Sequence, residues 1–206
     1  MAETDIKMVY AFPEEFVCNS VTVPAVRYRA ITGQTANIQE NYGTDGNLVN
    51  AVGPLGQQTY RRPIISATVV GSAYQLLASQ SGSICLNDRA AGIVWTLPLA
   101  QVGLEFTFHT TVTVTSNSYK VITAAGTELL VGAINNVDTD TSSAVAIWQS
   151  LAATSNIAVT QQAAGTNATG GIAGSTLVFT CLSSTRWAVN GMTLAGGTVA
   201  TPFATS

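Results

Sequence analysis

Along residues 104–115 the chain alternates: Leu104, Phe106, Phe108, Val112 and Val114 share one parity, and Glu105, Thr107, His109, Thr111, Thr113 and Thr115 share the other. Successive side chains of a strand point to opposite sides, so this pattern predicts an extended strand with one face on a core and a polar face outward. A slip of one residue would bury the polar set, so the pattern itself specifies the register, and a half-buried antiparallel strand is expected. Shorter apolar runs recur between turn residues at 84–86, 93–97, 119–124, 128–134, 145–148, 157–160, 176–182 and 186–190. Strands at this spacing predict an all-β protein built as a β-sandwich or jelly-roll-like domain.

Composition agrees with strands. Only 9% of residues are charged, against roughly 25% in ordinary soluble domains, while 47% are hydrophobic, which predicts a folded chain. Thr and Val are stiff at the first side-chain torsion and suit a pleated sheet, and the usual surface helix formers are scarce. Net charge is −3 and the eight basic residues are scattered, so no footprint for a phosphate backbone is expected, and nucleic acid is not a predicted partner. Apolar runs such as Leu129-Leu130-Val131 are too short to cross a bilayer, and Met1-Ala2-Glu3-Thr4-Asp5 is acidic where a secretory signal is basic. No membrane partner is expected, and the chain is predicted to stay in the cytoplasm where it is made. Cys18, Cys85 and Cys181 are far apart and odd in number, which predicts buried free thiols, not a disulfide framework.

The chain divides unevenly. Residues 1–72 hold Pro13, Pro24, Pro54 and Pro63 and most of the charge, without sustained periodicity. They read as an extended, irregular N-terminal arm of brief strands and turns, with turn chemistry at 43–47 and 52–56. Residues 73–206 read as the sandwich domain, with a Gly-rich stretch at 161–174 expected to be an exposed, mobile loop.

Chemistry-bearing residues are few. His109 shares the polar parity of its strand with Glu105, which admits a nucleophile–His–carboxylate array, but no nucleophile-elbow motif accompanies it, and a structural or interface histidine is expected. A lone His and separated cysteines offer no zinc spacing. Asp138 and Asp140 flank Thr139 and fit either a calcium loop or a solvated turn, the turn being the expectation. Gly165 to Gly170 has phosphate-loop glycine spacing, but Gly171 stands where lysine is required. Asn167-Ala168-Thr169 is a formal glycosylation sequon with meaning only in a secretory compartment. Glu14 and Glu15 are adjacent and would point to opposite sides of an extended segment, so they read as solvated charge. No catalytic, metal or cofactor site is predicted. Trp95, Trp148 and Trp187 are assigned to the core or a subunit interface.

Three segments in order, Gly92-Ile93-Val94-Trp95-Thr96-Leu97-Pro98, Gly103-Leu104-Glu105-Phe106-Thr107-Phe108 and Thr115-Ser116-Asn117-Ser118-Tyr119-Lys120-Val121-Ile122, followed by a closing Ser183-Ser184-Thr185-Arg186-Trp187-Ala188-Val189-Asn190-Gly191, resemble a β-sandwich module of tailed-bacteriophage virion proteins. The chain departs from that pattern in its insertion before Thr176 and in Ser183-Ser184, where Asp-Gly is usual. The resemblance implies a capsid decoration, or cement, protein: a homotrimer on the outer surface of the phage head that binds between major capsid protein subunits and stabilises the shell. The alternative is the trimeric head of a tail fibre or spike that binds the host surface. In either setting the arm's aromatic and basic residues, Tyr10, Phe12, Phe16, Arg27, Tyr28, Arg29, Tyr60, Arg61 and Arg62, are the candidate partner contacts, since Tyr and Arg combine apolar area with a polar end. The competing expectation is that they pack back on the chain's own sandwich.

Overall fold

The computed structural model describes residues 39–42, 48–53, 55, 57–140, 145–151, 155–163 and 168–206. The chain forms two compact units, 1–61 and 62–206. In the first, β1 (Gln39–Tyr42), β2 (Leu48–Val52) and β3 (Gln58–Tyr60) make an antiparallel meander. Between β2 and β3, where a turn is expected at 52–56, the Gly53 N–H donates to the Gln57 carbonyl at 2.8 Å; the turn expected at 43–47 lies outside the described residues.

The second unit is all β and begins before the expected boundary at 72. Residues 62–72 belong to it: β4 (Ile64–Ser66) pairs inside its larger sheet, followed by the single-turn α1 (Ala67–Val70). Then come β5 (Ala73–Gln75), β6 (Ile84–Asn87), β7 (Ile93–Thr96), β8 (Glu105–Thr110) and β9 (Tyr119–Ile122). These strands alternate between two sheets. β4, β6 and β8 stack in parallel in one, with Ile64 beside Ile84 and Ile84 beside Thr107, and β5, β7 and β9 stack in parallel in the other. The chain therefore coils in three rungs, each contributing one strand per layer, in the manner of a short solenoid.

The remainder is β10 (Leu129–Asp138), β11 (Val145–Ser150), β12 (Ala158–Gln161), β13 (Thr176–Ser183), β14 (Arg186–Ala195) and β15 (Phe203–Ala204). The seven-stranded sheet has the order β11-β10-β14-β13-β8-β6-β4, and the five-stranded sheet β15-β12-β9-β7-β5. Every expected run from 84–86 onward is a strand, while β4, β5 and β15 are too short to announce themselves. β8 differs from expectation in its neighbours: it runs antiparallel to β13 but parallel to β6. The hairpin closing the motif region forms, with the Thr185 N–H donating to Ser183 Oγ at 3.3 Å and the register shifting between Cys181 and Ser183.

The core lies between the sheets. Phe106, Phe108, Phe179, Trp95 and Trp187 are at most 1% exposed. Trp95 of the five-stranded sheet meets Phe108 of the seven-stranded sheet edge-on at 5.9 Å, and Phe108 meets Phe179 at 5.4 Å. Such edge-to-face pairs contribute about 0.5–1.5 kcal/mol each beyond their area. Trp148 is half-buried against this core. A polar tie crosses the same gap: the Trp95 indole N–H donates to Asn87 Oδ1 at 2.8 Å, and Asn87 Nδ2 donates to Thr110 Oγ1 at 3.2 Å.

Turns are tied to the rungs. Asn117 takes φ 58°, a conformation that asparagine adopts more readily than most residues, and donates its amide to the Ala91 carbonyl of the preceding rung at 3.0 Å. Gly92 adopts φ 76°, and a Cβ there would strike the Ser118 carbonyl of the next rung. Asp88 receives the Ser66 hydroxyl at 2.6 Å and the Thr68 N–H at 2.8 Å, which joins α1 to the end of β6. Desolvation tends to raise the Asp88 pKa, and these bonds outweigh it, so the net pKa lies below the ordinary carboxylate value.

The expectation of an exposed loop at 161–174 is corrected over its described part. Ala163, Ala168 and Thr169 are buried, the Thr169 N–H donates to the Gln162 carbonyl, and the Val114 N–H donates to the Gly171 carbonyl. The reason is size: a Cβ on Gly170 would collide with Thr193, and one on Gly171 with Val114, so the small residues permit close packing.

Cys85 and Cys181 are buried free thiols, as the sequence predicts, and Cys18 lies outside the described residues. Burial pushes the Cys85 thiol up to about 12 against a lowering pull from Arg62, and burial raises Cys181 as well. Two outcomes are expected. Site-resolved alkylation at mildly alkaline pH leaves Cys85 and Cys181 unmodified in the native protein and modifies both after urea unfolding. Asn87→Ala, which strands the Trp95 N–H, lowers the urea unfolding free energy by about 1–3 kcal/mol.

Candidate interaction surface

Because paired residues in a sheet share a face, the register defines what the seven-stranded sheet shows outward. Leu130, Trp187, Cys181 and Phe106 lie on the core side. Their neighbours in sequence therefore point away. The centre of the outer face is Val131 beside Ala188, Ala133 beside Asn190, and Val178 beside Thr107. Toward the β11 edge it carries Val145 at 58% and Ile147 at 69% exposure, with Met192 and Leu182 also exposed. Among the described residues of these strands, only Glu105, His109 and Arg186 are ionisable groups on this side. The polar outward parity read in β8 is thus local to that strand. Arg62, which precedes β4, adds a cation there, its guanidinium bonded to Thr107 Oγ1; the rest of the face is apolar and amide- or hydroxyl-bearing.

Near its β11 end the face has a shallow open hollow of about 590 Å³, floored by Gly132 and Ala133 and walled by Leu182, Arg186 and Gln149. Gly132 adopts φ 134°, and a Cβ there would run into the Val189 carbonyl of β14.

The arm residues singled out by sequence separate. Tyr10, Phe12, Phe16, Arg27, Tyr28 and Arg29 lie outside the described residues. Tyr60 and Arg61 are exposed in the first unit, Tyr60 at 72%. Arg62 belongs to the sandwich. Its Nε donates to the Gly82 carbonyl at 2.6 Å, and its Nη2 donates to Thr107 Oγ1 at 2.8 Å and to the Ser83 carbonyl at 3.3 Å. For this residue the competing expectation, packing on its own domain, holds. Its five donors and fixed fork suit it to collecting carbonyls from a turn.

His109 sits half-buried with Nδ1 3.0 Å from Thr176 Oγ1 across the β8–β13 ladder. Glu105 is four residues back on the same strand, about 13 Å away at strand rise, so it does not orient the imidazole. Asp138 and Asp140 are organised as a turn: the Asp140 N–H donates to Asp138 Oδ1 at 3.1 Å, and the Gly197 N–H donates to Asp140 Oδ2 at 2.5 Å. Among the described residues no three His, Cys, Asp or Glu side chains converge on one point, and no helix is long and apolar enough to cross a membrane.

The outer-face residues were not singled out from sequence. A signal did exist at 145–148, where Val145, Ala146, Ile147 and Trp148 are apolar on both parities, the mark of a strand with apolar contacts on both sides. The fold and this face define a β-sandwich-like, all-β protein presenting one broad, weakly charged sheet surface. No protein-family model, curated protein or solved structure matches the chain.

Removing the Arg62 fork orphans carbonyls at the β6 entry. Arg62→Ala is expected to lower the unfolding free energy by about 1–3 kcal/mol in urea titration, whereas Tyr60→Ala, at an exposed position, changes it by less than about 0.5 kcal/mol.

Proposed function

We propose that this chain is a structural virion protein, an external capsid cement protein that lies on the head between major capsid protein subunits and adds contacts to the shell. The observation that carries the reading is the outer face of the seven-stranded sheet. A monomer gains nothing from an apolar, nearly uncharged sheet surface of this breadth, whereas a protein that functions by lying on other proteins requires one.

Two further features support it. The segments that resemble phage virion modules occupy β7, β8, β9 and the β13–β14 hairpin of one sandwich. The described edge of the first unit offers exposed Tyr60 and Arg61, types suited to a protein contact. On a symmetric lattice, several weak contacts of this kind are multiplied by effective concentration.

Electron microscopy of purified particles carrying the protein is the direct test: density over the capsid shell is expected, and density at the tail tip would replace this reading with that of a host-binding fibre head. A second experiment addresses the surface. Ala188→Asp, a charge at the centre of the outer face, is expected to weaken coating of undecorated heads by more than about tenfold while leaving the unfolding midpoint close to wild type. Undiminished coating would remove the sheet face from the contact. Residues 62–206 expressed alone are expected to fold and to coat less well than the full chain.

A further inference from the structure

Sheet edges are the places where a β protein must avoid unwanted pairing, and three of the four edges of this sandwich are blunted. β4 has three residues and follows Pro63, β5 has three, and β15 has two and follows Pro202. β11 is different. It has six residues, Val145-Ala146-Ile147-Trp148-Gln149-Ser150, without proline or charge, and it pairs with β10 in unbroken register from Gly132 to Val137 without a bulge. Among the described residues no strand covers its other side. The strand itself carries none of the devices that natural edges use against pairing.

We propose that β11 is a self-association edge, at which a second copy of this chain pairs its own β11 antiparallel across a twofold axis and joins the two seven-stranded sheets into one. The choice of a second copy rests on the strand itself. Paired residues must share a face, so the axis passes through a residue position and not between two. Centred on Ile147, it sets Ile147 against the second copy's Ile147, Val145 against the second copy's Gln149, and Ala146 against the second copy's Trp148.

Every one of these pairs is uncharged, so two chains that each carry a net charge of −3 meet where that charge is absent. The exposed apolar area of Val145 and Ile147 is covered on the outer side. Gln149 also walls the hollow beside Gly132 and Ala133, so the second copy's Val145 is brought to its mouth.

A strand of this length spans about 20 Å, which places the contact at the small end of specific interfaces. The dimer is therefore concentration-dependent, with affinity on the order of micromolar. The pairing is isologous and closes with two copies; a homotrimer would require a different surface. It does not depend on a virion role.

Sedimentation velocity of the full-length protein over a concentration series into the high micromolar range tests it. Wild type is expected to shift from monomer to dimer. Ile147→Lys is expected to stay monomeric throughout with an unchanged unfolding midpoint, and Val69→Lys, which removes a still more exposed apolar side chain on α1, is expected to dimerise like wild type. Ile147→Cys in a Cys18→Ser background is expected to form a disulfide between the two copies at position 147 on mild oxidation, identified by mass spectrometry of the linked peptide. A wild type that remains monomeric, an assembly that Ile147→Lys leaves intact, or failure of the Ile147→Cys variant to crosslink at concentrations where the dimer forms would overturn the proposal.

Discussion

Two sheets stay together here because one tryptophan reaches across the gap in two ways. The Trp95 ring meets Phe108 edge-on, and its N–H is received by Asn87 on the opposite sheet at 2.8 Å. The apolar contact supplies the larger energy, and the hydrogen bond supplies direction, since an indole N–H left unpaired in the core would lose about what a buried donor costs. Asn87 closes β6 while Trp95 lies in β7, so the link also sets how far the chain travels between layers. The same layer spacing leaves Cys85 without water and its thiol protonated.

The coil of β4 to β9 and the antiparallel strands that follow divide the work. Each rung passes from one sheet to the other, which requires tight corners; Gly92 and Asn117 serve two of them. β10 then returns to the far side of the larger sheet, parallel to β14, and Gly132 lets the two backbones approach. That return leaves β11 as the last strand of its sheet among the described residues, with no described strand on its outer side. The blunt edges belong mostly to strands at the ends of the coil, where proline and brevity end the pairing.

A chain with this little charge still needs a stable surface. Its polar groups are spent internally on joints such as Arg62 to the Gly82 turn and Asp88 to α1. What remains outward on the larger sheet is mostly apolar or neutral, with Glu105, His109 and Arg186 as the ionisable groups of its described strands. Such a surface is compatible with broad contact of modest strength per unit area, because little charge has to be desolvated on approach.

Much of the strand content was legible because parity is local. Alternation in 104–110 and the shorter runs reflect which side of each strand meets the core, a property that each segment carries by itself, whereas the expected continuation to Thr115 is not strand: β8 ends at Thr110, and Val112, on the expected core parity, is 38% exposed. The buried thiols were legible from number and spacing, three cysteines far apart in sequence being read as free and interior, and Cys85 and Cys181 are so. The reading of the Gly-rich stretch 161–174 as an exposed, mobile loop failed over its described part because small size signals either mobility or close packing, and only the presence of Thr193 and Val114 opposite Gly170 and Gly171 decides between them. Arg62 looked like a partner contact because its position beside Gly82 and Thr107 exists only after β4 has docked. Sequence by itself determined that this is a β protein, where most strands between Ile84 and Ala195 lie and which side of β8 meets the core. Tertiary structure alone decided which strands are neighbours, which run parallel and which edge is left open, because backbone hydrogen bonds join strands irrespective of side chain, so a strand's partner is chosen by the packing of the whole chain.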